Sequence, residues 1–415
     1  MSGAVTRKLS GEEGGWLREE PLARLLGALS GNGEEARVVG GAVRNTLLGL
    51  PRTEIDVATT SEPKETIARV TAAGFRAVPT GIEHGTVTAV LDKQPFEVTT
   101  LREDIETDGR HATVRFGRDW KKDAERRDFT INALSVSPDG TLYDYCGGME
   151  DIAARRVRFI GDADTRIAED YLRVLRFFRF FAAYGEGEPD VQAMNACARA
   201  RNNLGALSGE RLRAEVLKLL AAKRGPEAMV AMADAGVFDR VFSNASAQYA
   251  LLRLADIEAA LEMERDPVRR LAAVGVRIIE DADRLRERLR LSNSEYRRLT
   301  SVADGWWLLS PERGEAYARE TLYRIGTEAY LDRALIAFAH ADASLADERW
   351  GTLLSLPARW TPPKFPLSAD DFLTRGVAKG PELGRALGKA ETAWIAEGFP
   401  EDANALKRIA DSARG

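Results

Sequence analysis

The hydrophobic pattern of this chain predicts an α+β fold: a small mixed β-sheet near the N-terminus, then helices alone. Between Ala36 and Tyr145, short strand-like runs alternate with helical stretches. From Asp164 onward the apolar spacing is helical nearly to the end, and no fixed-period repeat is visible. At 415 residues the chain is too long for one ordinary core, so several packed units are expected.

Arg37–Val39 reads as the first strand. Gly40-Gly41 interrupts it, and Ala42–Leu48 reads as a short helix. The run Glu54-Ile55-Asp56-Val57-Ala58 is strand-like, and Ser61 with Pro63 marks the start of a helix over Lys64–Ala73. Further strands are expected over Thr86–Leu91, Phe96–Leu101 and Leu142–Tyr145. The polar segment Leu101–Glu125, with Asp108-Gly109 inside it, reads as a long mobile loop. Thr361-Pro362-Pro363-Lys364-Phe365-Pro366 reads as a linker before a final helical segment.

The apolar share of 44% and charged share of 30% are those of a globular protein. No window offers the roughly 18 consecutive apolar residues of a membrane span, and Met1–Ser10 lacks a hydrophobic signal core, so a cytoplasmic location is expected. Cys146 and Cys197 alone exclude a disulfide framework and a cysteine-rich zinc site. His84, His111 and His340 stand far apart and none begins a His-Asp pair, which argues against a histidine-metal phosphohydrolase module. A net charge of −5 argues against a protein that coats nucleic acid indiscriminately, while leaving room for local basic patches.

Alternation along a strand puts Glu54 and Asp56 on one face. Such a pair is commonly solvent-facing decoration. Here apolar neighbours and the glycines upstream favour paired oxygen ligands for a divalent cation beside a phosphate-binding turn. Glu97 is the best third carboxylate, provided its strand lies beside the first. Gly40-Gly41 alone could be a tight packing turn; no Gly-Lys-Ser/Thr follows, so it is not a P-loop. Arg44 could reach a phosphate or pair with a carboxylate. Together these residues point to nucleotidyl transfer.

In Arg126-Arg127-Asp128-Phe129-Thr130-Ile131-Asn132, a helix cap at Asp128 accounts for part of the pattern. The paired arginines before an Asn embedded among apolar residues suggest that Arg127 contacts sugar or phosphate. On a helix through Glu169–Arg176, Asp170 and Arg173 share a face. They could be a surface ion pair of little worth. Against a nucleobase, the carboxylate accepts from the exocyclic amine of cytosine or adenine while guanidinium donates to the ring nitrogen; uracil and guanine reverse that pattern. Arg176 and Arg179 drift away around the helix, and would hold phosphate, RNA or neighbouring structure.

These residues resemble the bacterial class II tRNA nucleotidyltransferases, the CCA-adding enzymes and their poly(A) polymerase relatives. Val39–Arg44 through Leu47-Leu48-Gly49 looks like the family's nucleotide-binding opening, and Glu54–Thr59 like its metal-binding strand. His84–Val87 and Thr107–Arg110 are similar to elements before and within its flexible loop. Arg127–Ala133 resembles the sugar-recognition segment, with Asn132 inside it, and Glu169-Asp170 with Arg173 resembles the amino-acid template for CTP and ATP. Gly380–Gly384 is similar to a C-terminal element.

The resemblance implies a nucleotidyltransferase head (residues 20–147), a neck with the base-recognition helix (148–225), a helical body (226–360) and a helical, tRNA-binding tail (361–415). It also implies Mg²⁺ and addition of C, C and A to the tRNA 3′ end. One departure stands out: the family's first metal ligand is Asp and this chain has Glu54, a shift of about 1.5 Å in carboxylate reach that backbone or rotamer is expected to absorb. Two other readings were weighed. A poly(A) polymerase or a partial CC- or A-adding enzyme keeps the chemistry; the lack of a strongly basic C-terminal tail and the intact long loop weigh against these. A catalytically silent RNA-binding protein is favoured by Glu54 alone.

Overall fold

The computed structural model describes residues 3–52, 54–108, 111–242 and 248–414, with backbone alone over 103–108 and 111–114. It divides into two compact units, Met1–Ala245 with Arg288–Arg290, and Ser246–Glu287 with Leu291–Gly415.

The first unit is built on ten strands: β1 (Val5–Lys8), β2 (Ala36–Val39), β3 (Asp56–Thr59), β4 (Arg76–Gly81), β5 (Thr86–Leu91), β6 (Gln94–Thr100), β7 (Arg102–Asp108), β8 (His111–Phe116), β9 (Ser135–Val136) and β10 (Thr141–Asp144). Eight form one sheet in the order β1-β10-β9-β2-β3-β6-β5-β4. Only β3 and β6 pair in parallel, so the sheet is mixed, as expected. The central strand β2 is buried at every residue, which its Ala-Arg-Val-Val sequence permits because Arg37 lies between the rings of Trp120 and Tyr143.

Two local expectations are corrected. The segment Leu101–Glu125 is not a continuous loop: β7 and β8 pair as an antiparallel ribbon and Trp120–Glu125 is a helix capped by Asp119. Polar strands that pair only with each other carry no hydrophobic signal. Of the recurrent Thr107–Arg110 element, Gly109 and Arg110 lie outside the described residues. Asp128 caps no helix. It is buried at a bend, followed by extended Phe129 and the short turn Thr130–Asn132.

On the helix Leu172–Tyr184, Phe177 packs on Phe129 and Phe159 and Phe180 on Phe129, with ring centroids 5.1–6.5 Å apart, while Arg176 and Arg179 lie beside Phe180 and Arg173 lines a cleft with them. The Thr130–Asn132 turn is packed closely by Gly148, where an added Cβ would stand 2.3 Å from the Thr130 carbonyl oxygen.

The second unit is helical throughout. Gln248–Ala260, Pro267–Gly275, Asn293–Ala303 and Gly314–His340 pack around buried ion pairs, Arg270 on Glu258 and Arg269 and Arg298 on Asp332. Gly326, at φ 77°, separates two helical runs within Gly314–His340. Pro381–Ala396 and Ala403–Ser412 close around Trp394 and Phe372 after the irregular proline-rich stretch. No described helix is long and apolar enough to cross a membrane.

Gly148→Ala should destabilise the first unit by about 1–3 kcal/mol, the usual cost of overpacking, with urea unfolding as the readout. An unchanged midpoint would mean that the turn has room to move.

Candidate active site

The N-terminal unit holds a cleft of about 580 Å³. Its walls include Gly40, Gly41, Arg44, Glu54, Asp56, Arg127, Asn132, Asp170, Arg173, Arg176 and Arg179. Every site residue expected from sequence is therefore there except Glu97. Arg126, Asp128, Leu172, Phe180, Arg211 and Lys218 complete the lining.

The acidic end is set by sheet register. Asp56 opens β3 and sits opposite Glu97 of β6. Glu54 lies outside the strand, in the exposed approach to it, so strand alternation is not what brings the pair together; both nonetheless face the cleft. Burial raises the Asp56 carboxyl above its ordinary range, and the negative charges of Glu97 and Glu54 raise it further. Glu97 is exposed beside this pair. Among the described residues, no three His, Cys, Asp or Glu side chains converge closely enough to hold a metal ion. Glu54 and Asp56 form a carboxylate pair at the acidic end of the cleft.

A glycine turn follows β2. Gly40 adopts φ 69° and ψ −124°, a conformation open to glycine, and an added Cβ would meet Arg127 Nη1 at 3.4 Å. The helix Gly41–Leu47 has seven residues, so its dipole is short, and Arg44 is the stronger positive element. Arg44 is buried, and all its hydrogen-bond partners are neutral. Nη1 donates to Asn132 Oδ1 at 2.5 Å, Nη2 to Tyr184 Oη at 2.7 Å, and Nε and Nη2 to Asn45 Oδ1 at 3.2 and 2.9 Å. Burial lowers its proton affinity, yet a guanidinium stays charged. Of the two sequence alternatives for Arg44, a carboxylate pair is absent among the described residues.

Asp128 joins the turn to the neck helix. It accepts from Asn132 Nδ2 at 3.1 Å, from the Phe129 amide at 2.9 Å, and from Arg176 Nε at 2.7 Å. Burial opposes its charge, but Arg176 and these hydrogen bonds outweigh burial and hold its carboxyl below the ordinary range. Arg126 and Arg127 share Asp123, and Arg127 Nη1 reaches the Asn132 carbonyl at 3.5 Å.

Asp170 and Arg173 are assembled differently from expectation. No continuous helix runs through Glu169–Arg176: Asp170, at φ −158° and ψ 108°, separates Ala163–Glu169 from Leu172–Tyr184. Its Oδ1 accepts from the Leu172 amide at 3.1 Å and its Oδ2 from Arg211 Nη2 at 2.5 Å. Arg173 bonds through Nη1 to Glu169 and to the Arg166 carbonyl, the latter at 2.7 Å. Arg176 and Arg179 hold neighbouring structure, Asp128 and Glu215, while still lining the cleft.

Sequence reasoning missed Arg211 and Lys218, although Arg211, Glu215 and Lys218 recur at helical spacing on Gly209–Ala221. Tyr184 gave no signal at all.

Asp56 at the start of β3 and Glu54 just before it share one cleft with the arginines of Leu172–Tyr184, the pattern of a nucleotidyltransferase-type site, and sequence comparison agrees. Residues 36–158 match the family model for the poly A polymerase head domain, and residues 188–248 match the model for the probable RNA and SrmB-binding site of polymerase A. The mitochondrial CCA tRNA nucleotidyltransferase 1 of Mus musculus is 34% identical over 95% of this chain and 90% of its own length. The CCA-adding enzyme of Limosilactobacillus fermentum is 30% identical over 89% and 90%. The crystal structure of the Bacillus stearothermophilus CCA-adding enzyme in complex with CTP superposes with a TM-score of 0.77 at 26% identity, covering 95% of this chain and 98% of that one. The chain belongs to the family of CCA-adding enzymes, the CCA tRNA nucleotidyltransferases.

Two variants test the site's electrostatics. The folded state binds the Asp56 proton more tightly than the unfolded chain does, so ionised Asp56 costs stability, increasingly as pH rises from about 4 through its raised value. Asp56→Asn should therefore raise the melting temperature of the ligand-free protein at pH 7.5, with the gain fading in acid, while abolishing nucleotide addition; a lower melting temperature would contradict this. Asp128 has the opposite sign: its contribution is complete above the ordinary carboxylate range and is lost as pH falls through its depressed value. Asp128→Asn should cost on the order of 3 kcal/mol at neutral pH, read by chemical denaturation, because Arg176 loses its counter-charge.

Proposed function

We propose that this protein adds cytidine, cytidine and adenosine in turn to the 3′ end of tRNA, taking CTP and ATP as substrates and using no nucleic-acid template. The observation that carries the reading is the single cleft in which the Glu54/Asp56 pair faces Arg44, Asp170 and Arg173. Glu54 and Asp56 would hold the divalent metal, Mg²⁺ in this reading. They fit it, since neither carboxylate has a salt bridge among the described residues and the charges around Asp56 call for a cation. Bound ions would supply Lewis-acid activation of the RNA 3′-hydroxyl and charge neutralisation on the triphosphate.

The protein's own part is positioning. Gly40 and Gly41 let phosphate approach the backbone, and Arg44 provides a fixed positive charge. Arg127 and Asn132 border the sugar, Asp170 and Arg173 present the base edge, and Arg176 and Arg179 stiffen that wall. Glu97 strengthens the negative field at Asp56 from the neighbouring strand. Attack of the 3′-oxygen on the α-phosphorus forms the phosphodiester and expels pyrophosphate. The head, neck, body and tail division at 20–147, 148–225, 226–360 and 361–415 belongs to the same proposal, with the helical body and tail gripping the tRNA.

Incubating tRNA that lacks its terminal CCA with labelled CTP alone, ATP alone, and both tests the proposal. CTP alone should extend by two nucleotides, ATP alone by none, and both by three. A long A-tail on unrelated RNA would replace this reading with a poly(A) polymerase. Glu54→Asp should keep the activity, whereas Glu54→Gln should lose at least about tenfold in kcat through one lost metal ligand.

A further inference from the structure

Among the described residues, the cations of the cleft sort by partner. Every arginine lining it except Arg44 forms a salt bridge with a carboxylate. Two cations do not. Arg44 is buried among neutral partners, and Lys218, exposed on Gly209–Ala221, has no ion-pair or hydrogen-bond partner.

We propose that Lys218 binds a backbone phosphate of the RNA strand near its 3′ end, separately from the triphosphate pocket at Arg44. This rests on the function proposed above. Arg211, Glu215 and Lys218 are spaced by four and three residues and share one helix face. Arg211 fastens that face to Asp170, and Glu215 fastens it to Arg179. The backbone position of Lys218 is therefore fixed while its side chain stays exposed and its ammonium unpaired among the described residues. It stands seven residues from Arg211, about 10 Å along the helix axis, and so lies away from the base edge that Asp170 presents.

An RNA strand entering a cleft that contains Glu54 and Asp56 meets like charge, and the paired arginines have little charge left to offer it. Lys218 supplies the missing attraction. Its residue type also fits. The strand gains one nucleotide at each addition, so the phosphate it presents shifts, and a point charge on a flexible stem tolerates such a shift better than a guanidinium fork does.

Lys218→Gln and Lys218→Arg test this, with tRNA lacking CCA as substrate. The Gln variant should raise KM for tRNA about fivefold and leave kcat and the KM for CTP unchanged. Its plot of log affinity for tRNA against log salt should be shallower by about 0.7. The Arg variant should recover most of the affinity. A raised KM for CTP with unchanged tRNA KM would assign Lys218 to the triphosphate, and wild-type behaviour in both would make it a solvated lysine; either overturns the inference. Wild-type extension is measured alongside: its failure would sink the proposed function, whereas an active wild type with an indifferent variant sinks this inference alone.

Discussion

The buried carboxylate of Asp128 is the contact on which the site depends. It binds Arg176 of the neck helix directly and Asn132 of the adjoining turn, and Asn132 in turn accepts from Arg44 at the head of the helix after β2. Arg44 closes the circuit by donating to Tyr184, at the far end of the neck helix. One closed chain of hydrogen bonds thereby fixes sheet, turn and neck to each other within the first unit. Arg44, Asp128 and Asn132 are buried, so each bond among them is held by the cost of leaving the others unsatisfied. A transferase that works by positioning needs such stiffness, because misplacing a reacting atom by an ångström forfeits much of the rate.

The circuit also reconciles two opposed electrostatic demands. A metal–triphosphate site needs carboxylates that repel one another; at Asp56 burial raises the proton affinity first, and the charges of Glu97 and Glu54 add that repulsion. The same cleft needs cations in numbers that would repel one another as strongly. Carboxylates from Asp123, Asp128, Glu169, Asp170 and Glu215 disperse among the arginines and relieve that repulsion. Charge is left uncompensated where a ligand's charge would meet it.

The chain announced the parts of the fold that bury a face. β2, β3, β5, β6 and β10 fell within a residue or two of the runs read from the sequence, because apolar side chains mark them. The edge strands did not: β1 is exposed along its length and β4 carries Pro79, so neither shows the pattern of a half-buried strand. β9, two residues long, is too short to carry a pattern. The site divided the same way. Gly40-Gly41, Glu54/Asp56 and Arg126–Asn132 are local signatures, legible as written. Arg211 reaches Asp170 from 41 positions away, and Tyr184 reaches Arg44 across 140, contacts that only tertiary packing creates.

The backbone break at Asp170 shows how a partly wrong local expectation still named two residues that line the cleft. A carboxylate on a continuous helix would be free to swing. Between two helices it is clamped, with Oδ1 on the Leu172 amide and Oδ2 on Arg211. Each carboxylate oxygen accepts two hydrogen bonds, so this clamping leaves acceptor capacity for an incoming amine. Among the described residues Arg173 bonds through Nη1, leaving Nε and Nη2 to donate. In the proposed reaction, an acceptor and a donor lining one cleft would match cytosine and adenine alike and mismatch uracil and guanine. Two such rigid groups can exclude the wrong pair of bases but cannot choose within the right pair. In the proposed reaction, the order C, C, then A must therefore come from something that changes between additions, and among the reactants that is the length of the RNA strand entering the cleft.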